Sequence, residues 1–314
     1  MFPLSLLLGA AIASEPANFD AQWDYHDPAA TEVLFREHVE ASQEWPLDDR
    51  LQLQTQIART LGLQGRFDEG HAVLDAIEPL LSSGEQSQNP PREAHVRYLL
   101  ERGRLFNSGG SPARAHHYFF EAWVIGQAAD LDGRAVDAAH MLAIVEPPED
   151  AMRWNQLAMN LAESSEDESA KRWLGALYNN IGWTLHDLER YDEALVTLQK
   201  GLEWRIERGT PGPIRIAKYS VGRALRSLER YDEAMEIQSA VAAELAAEGK
   251  TDGYVEEELG ELLLIAGDSD AASDHFANAW TELSADSWMV ANEGPRLERL
   301  RELAMEKLPP QELE

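Results

Sequence analysis

The 314-residue sequence contains no cysteine. That excludes a disulfide framework, a thiolate nucleophile and thiolate metal ligands, and it leaves the redox compartment open. Basic side chains are also scarce: 27 Lys and Arg stand against 56 Asp and Glu, a formal charge of −29. Such a balance repels nucleic-acid phosphates and anionic lipid surfaces, so nucleic-acid binding is excluded from the expected partners. No alternating run of β-branched residues argues for a sheet. The longest uncharged apolar stretch, Met1 to Ala13, is too short to span a bilayer. It reads as a signal peptide over residues 1–13, with Ala11-Ile-Ala13 as the cleavage-site pattern. The expectation is therefore export to the periplasm, with the cytoplasm as the alternative.

Catalytic signatures are missing as well. There is no phosphate-cradling glycine loop, no GxSxG elbow and no HExxH pair. His117 with Glu121, and His186 with Asp187, place two ligand types close in sequence. Two ligands do not make a metal site. No enzyme, cofactor or metal is expected.

What is present is repetition. Leu188-Glu-Arg-Tyr-Asp-Glu-Ala-Leu195 returns as Leu228-Glu-Arg-Tyr-Asp-Glu-Ala-Met235, 40 residues later. Twelve residues before Ala194 and Ala234 lie Gly182 and Gly222. The same separation pairs Ala58/Gly70, Gly103/Ala115, Ala139/Ala151 and Gly260/Ala272, which makes six units. Two antiparallel helices joined by a short turn approach closely only where small side chains allow it, so a constant small-to-small spacing predicts a row of helical hairpins. Large residues four positions on, Leu74, Phe119, Leu198 and Phe276, are expected to fill the space beside each contact; Asn155 and Gln238 break the rule. Gln64-Gly65, Gly109-Gly110, Pro147-Pro148, Leu188-Glu189, Leu228-Glu229 and Ala266-Gly267 fall where the hairpins must reverse. Ser111-Pro112 reads as an N-cap followed by a first-turn proline.

The intervals between units, from Gly70 to Ala272, are 45, 36, 43, 40 and 38 residues. Their variation is assigned to polar inter-repeat loops at 82–91, 163–169 and 208–213. The expected organisation is an N-terminal segment with a capping helix (14–50), six repeats (51–84, 96–129, 132–165, 175–208, 215–248 and 253–286), and a C-terminal capping helix and tail (287–314). In a solenoid each unit buries its face on the next, so one elongated domain is the simpler count.

The layout Ile-Gly, a turn, Tyr-Asp-Glu-Ala and a large apolar residue, carried best by Asn180 to Leu195, resembles the tetratricopeptide repeat (TPR). Val221 to Met235, Gly103 to Ala122 and Gly260 to Ala279 resemble it well, and Ala58 to Ile77 and Ala139 to Ala158 more distantly. The fold class implied is all-α, a right-handed α-solenoid of six hairpins with capping helices. The function implied is a protein-interaction scaffold that binds a peptide or protein segment in its groove. An assembly role through an end or edge of the array is the alternative, and oligomeric state is left open.

In such repeats the residue after the small position of each first helix faces the groove. That row reads Arg59, Arg104, His140, Trp183, Arg223 and Glu261. Neighbouring positions add Arg97, Asn107, Asn179, His186, Tyr219 and Arg226. Against an acidic background this donor-rich, partly aromatic set suits an extended peptide. Inter-repeat ion pairs are the competing account of the arginines. Asn179 and Asn180 resemble asparagines that the family uses to hold a peptide main chain, but the lysines of the two-carboxylate clamp are missing, so a chaperone-tail receptor is not indicated. Trp45, Trp154, Trp173 and Trp204 are assigned to packing.

Overall fold

In the computed structural model, residues 19–84 and 90–304 are described, and among them there is no β-strand. The signal-like residues 1–13 lie outside this range. Chain order gives α1 (Pro28–Ala41), α2 (Leu47–Leu63), α3 (Phe67–Gly84), α4 (Arg92–Ser108), α5 (Pro112–Ala128), α6 (Asp132–Val145), α7 (Pro148–Ser164) and a single turn, α8 (Glu168–Lys171). There follow α9 (Leu174–Asp187), α10 (Tyr191–Arg208), α11 (Pro211–Ser227), α12 (Tyr231–Ala247), α13 (Gly253–Ile265), α14 (Ser269–Leu283), α15 (Ser287–Asn292) and α16 (Gly294–Ala304). The chain divides into two compact units, Met1–Leu174 and Gly175–Glu314.

In the first unit the hairpins are α2/α3, α4/α5 and α6/α7; in the second they are α9/α10, α11/α12 and α13/α14. The twelve-residue spacing has a direct packing cause. A Cβ added to Gly103 would sit 2.4 Å from the Phe119 ring, one on Gly182 would sit 2.4 Å from Leu198, and one on Gly260 would sit 2.8 Å from Phe276. Each large residue of the second helix thus lies on the backbone of the first. Phe119 and Phe276 are 0% and 1% exposed. At the fifth hairpin the same place is filled by Gln238, which is fully buried; its Nε2 donates to the Tyr219 carbonyl at 3.1 Å, and its Oε1 has no partner. Gln238→Leu copies Leu198 and removes an unsatisfied buried acceptor. The expected result is a gain of about 1–2 kcal/mol in urea unfolding, the loss of one hydrogen bond already deducted. A loss of stability would show that the amide bond outweighs the orphaned oxygen.

The turns share one geometry. Gly65, Gly110, Glu189, Glu229 and Gly267 all have φ between 58° and 86°. In each case the next amide closes onto a carbonyl five residues back, as in Arg66 to Leu61 at 2.9 Å and Arg230 to Leu225 at 3.0 Å. Pro147-Pro148 is the exception, reversing through extended backbone at Glu146. Glutamate in the left-handed region costs ~1–2 kcal/mol locally, whereas glycine costs ~0.4–1 kcal/mol through the freedom it adds to the unfolded chain. Glu189→Gly and Glu229→Gly are therefore each expected to raise stability by about 0.5–1 kcal/mol. No gain in the denaturation midpoint would mean that the turns bear no strain.

Ser111 occupies the N-cap of α5 without a side-chain hydrogen bond, and Pro112 opens the helix. The polar stretches are shorter as loops than their composition implies: α3 runs to Gly84, α7 to Ser164 and α10 to Arg208. Between α7 and α9, Ser165 is buried and donates to Asp132 at 2.5 Å, while Asp167 caps α8, so this connection is pinned. The ends of the array are covered by helices. Asp27 caps α1 through the Ala30 amide, and Phe35, at 0% exposure, packs on Leu53, Ile57 and Leu61. Leu297, Leu300 and Ala304 of α16 join Met289 of α15 against Phe276 and Leu283. No helix among the described residues is long and apolar enough to cross a membrane.

Candidate functional site

The repeat register dictates a ladder of side-chain contacts. Within each unit, the residue one after a small position reaches the residue two before the small position of the following first helix. In the first unit Arg59 Nη1 donates to Glu101 Oε1 at 3.2 Å, and Arg104 Nη2 donates to Asp137. Arg104 Nη1 also holds Glu101 Oε1, at 2.6 Å. In the second unit Trp183 Nε1 donates to Ser220 Oγ at 3.2 Å, Arg223 Nε meets Glu258 Oε1 at 3.1 Å, and Glu261 accepts from Arg299 of α16. The carboxylates in this ladder are the buried members: Glu101, Asp137 and Glu258 are 4%, 6% and 3% exposed. Burial opposes the charge on Asp137, but Arg104 and then Arg59 outweigh it and hold its pKa below the usual carboxylate value.

Eight of the sequence-derived residues fall into two clefts, one in each unit, and Asn107, His140, Asn179, Asn180 and Glu261 line neither. In the first unit Arg59, Arg97 and Arg104 line a cleft of about 230 Å³ with Tyr25, Asp137 and Trp173. Its arginines are engaged from several sides. The Arg59 guanidinium sits 5.9 Å and 5.8 Å from the Trp23 and Tyr25 rings, and Arg97 Nε meets Glu93 at 3.3 Å. His140 packs its ring 5.2 Å from that of Trp173.

The second unit holds a larger cleft, of about 820 Å³, where Trp183, His186, Tyr219, Arg223 and Arg226 converge. Ile216, 60% exposed, and Val255 contribute apolar surface to it. Asn179 and Asn180 are not wall residues; Asn179 Oδ1 lies 3.1 Å from Ser220 Oγ, and the Asn180 carbonyl accepts from Thr184. Four arginines, at 215, 223, 226 and 296, face four carboxylates, at 187, 252, 257 and 258, so the wall carries no net charge in a chain of −29. Arg226 grips Glu258 with two bonds, Nε at 2.7 Å and Nη2 at 2.8 Å, and Arg296 does the same for Glu257. Arg223 Nη1 also donates to Ser227 Oγ at 2.6 Å, which in turn lies 2.9 Å from His186 Nε2.

Three rings cross this cleft. Trp183, Tyr219 and Tyr254 come from the successive first helices α9, α11 and α13, and adjacent ring centroids are 6.3 Å apart in both steps. Relative to Gly182, Gly222 and Gly260 they occupy positions +1, −3 and −6. The ring path therefore steps back about one helical turn per repeat. Tyr254 and Arg215 stand off the constant register for this reason, and Arg296 belongs to the capping helix α16; the signal in the sequence is an aromatic on each first helix of the second unit. Burial, then Glu258 and Glu257, push the Tyr219 phenol above its ordinary pKa, so it stays protonated as a donor. Its Oη has no hydrogen-bond partner among the described residues.

His117 and Glu121 approach to 3.7 Å on an exposed helix face, and His186 Nδ1 and Asp187 to 3.9 Å. Among the described residues no three His, Cys, Asp or Glu side chains group to hold an ion.

Three histidines are expected to make the protein acid-sensitive. Burial lowers the pKa of His71, His140 and His186 below 6.5, with Arg102, Arg104 and Arg223 respectively adding repulsion. A folded-state pKa below the unfolded value means that the stability contributed is complete above ~6.5 and is lost as pH falls through it. Chemical denaturation should show a decline that starts between pH 6.5 and 5, ahead of carboxylate protonation. His140→Gln should flatten that limb, and an unchanged slope would contradict the assignment.

Antiparallel helical hairpins, with Phe119, Leu198 and Phe276 seated on glycines of the facing helices, define an all-α helical-repeat solenoid. The Tetratricopeptide repeat family model matches residues 175–205, the α9/α10 hairpin. Among solved structures, apo RapI is similar at 12% identity, covering 86% of this chain and 75% of that one, with a TM-score of 0.67. NprR in complex with its cognate peptide NprX is similar at 14% identity, covering 92% and 84%, with a TM-score of 0.57. A tetratricopeptide repeat protein from Parabacteroides merdae gives 14%, 91% and 96%, and 0.52. A search of the curated proteins finds no match to this sequence.

Proposed function

We propose that the protein is a non-enzymatic interaction scaffold that binds a peptide or protein segment in the cleft of its second unit. The observation that carries this reading is the convergence of Trp183, His186, Tyr219, Arg223 and Arg226 on one 820 Å³ cleft that also exposes apolar surface. Such a wall offers ring faces for apolar side chains and guanidinium edges for main-chain carbonyls. The similarity in fold to NprR, which is solved with a bound peptide, is consistent with it. In the first unit, Arg59 and Arg104 act instead as inter-repeat ties to Glu101 and Asp137, around a cleft of only about 230 Å³.

An immobilised library of random peptides tests the proposal. Full-length protein should retain a subset of sequences, and Trp183→Ala combined with Arg223→Ala should weaken that binding at least tenfold while helicity by circular dichroism is kept. Arg59→Ala should leave it unchanged. Retention of the same peptides with equal affinity by the double variant would place the ligand site elsewhere.

A further inference from the structure

The geometry points to a particular occupant of this cleft: a segment in extended conformation with apolar side chains at alternate positions, three in succession, and uncharged residues between them. The inference rests on the second-unit cleft being a peptide site. Its first support is a spacing. In an extended chain, residues two apart lie on the same side and are separated by ~6.4–6.8 Å. Trp183 to Tyr219 and Tyr219 to Tyr254 are each 6.3 Å between ring centroids. A helical segment that keeps to one face steps by three and four residues in turn, ~4.5 Å and ~6.0 Å at ~1.5 Å rise per residue, so its two steps are unequal where the ring steps are equal.

The second support is charge. The four arginines and four carboxylates of the wall cancel, and Arg226 and Arg296 are each paired bidentately. Burying an ionised ligand group among arginines already held by Glu248, Glu257 and Glu258 would cost its desolvation without a free counter-charge. Uncharged residues between the apolar ones avoid that cost. The third support is Tyr219, the middle ring, whose protonated hydroxyl has no partner among the described residues and lines the cleft. An extended segment whose side chains face the rings directs backbone carbonyls along the cleft wall, where this hydroxyl can donate to one of them.

Two blocked heptapeptides of identical composition separate the possibilities: acetyl-Gly-Leu-Ser-Leu-Ser-Leu-Gly-amide, which alternates, and acetyl-Gly-Ser-Leu-Leu-Leu-Ser-Gly-amide, which does not. Titration calorimetry on the full chain should show at least tenfold tighter binding of the alternating peptide. Tyr254→Ala should bring the two affinities together by removing the third ring. Tyr219→Phe, which preserves the ring and the packing, should weaken the alternating peptide by about two- to tenfold, the worth of one neutral hydrogen bond. Equal affinity of the two isomers for the native chain, or a preference that survives Tyr254→Ala, would overturn the register while leaving peptide binding in place. Failure of both isomers to bind folded protein at millimolar concentration would overturn the register and the peptide reading together.

Discussion

Phe119→Ala is expected to lower the stability of the first unit by about 3–5 kcal/mol, the range for deleting a fully buried aromatic side chain. Phe119 is 0% exposed and lies so close to Gly103 that a single added carbon there would come within 2.4 Å of its ring. The backbone of α4 cannot move inward to fill the void, because Leu99, Leu100 and Leu105 already bury its other sides. Phe119→Leu should cost less than half as much, since leucine at the equivalent place in the fourth hairpin, Leu198, covers Gly182 in the same way. Urea unfolding followed by circular dichroism reads both. A loss under 1 kcal/mol for alanine would mean that the small-on-large contact is not what holds the hairpin.

This contact is also why the architecture can be read from sequence. A helix turn, a short reversal and a second helix turn fix the separation of Gly103 from Ala115, and of Gly182 from Ala194, at twelve residues wherever the hairpin recurs. Local geometry repeats, so its trace repeats. The turn residues follow the same logic: Gly65, Gly110 and Gly267 announce a left-handed φ, and Glu189 and Glu229 adopt it without announcing it. Where no local rule operates, the sequence is silent. The division between Leu174 and Gly175 falls at the start of α9 without a turn motif like those of the hairpins, and the acidic stretch 163–169 carries the composition of a free loop although Asp132 and Asp167 pin it.

The candidate site was legible in part for a related reason. Trp183, Arg223 and their neighbours stand at a constant offset from the small residues, which selects a face. What that face holds depends on the next repeat, and the partners lie 32 to 42 residues away across intervals that vary. Glu101 and Glu258 are ordinary glutamates in an acidic chain until the fold places each between two arginines. Tyr254 is hidden by the diagonal path of the rings, since constant-register reading looks straight across the helices.

Glu258 joins the two themes, because it supports the fold and shapes the cleft at once. Its side chain is 4% exposed, takes both Arg226 bonds and meets Arg223 Nε at 3.1 Å. Glu258→Ala would leave two guanidinium groups facing each other without their carboxylate. Breaking a sealed buried pair costs about 3–5 kcal/mol; here Arg223 and Arg226 retain 25% and 19% exposure and can take up water, so about 2–4 kcal/mol is expected. Replacing all three, Glu258→Leu with Arg223→Leu and Arg226→Leu, should recover most of that loss, because apolar side chains of similar volume avoid the desolvation that the ions incur. Stability and recognition then part company. The triple variant would fold nearly as well as the native chain, yet its cleft would have lost the guanidinium edges offered to a main chain, and the alternating peptide should bind at least tenfold more weakly. If the triple variant is as unstable as Glu258→Ala, the carboxylate acts through contacts other than these two arginines. If it is stable and binds the peptide undiminished, the aromatic rings alone make the site.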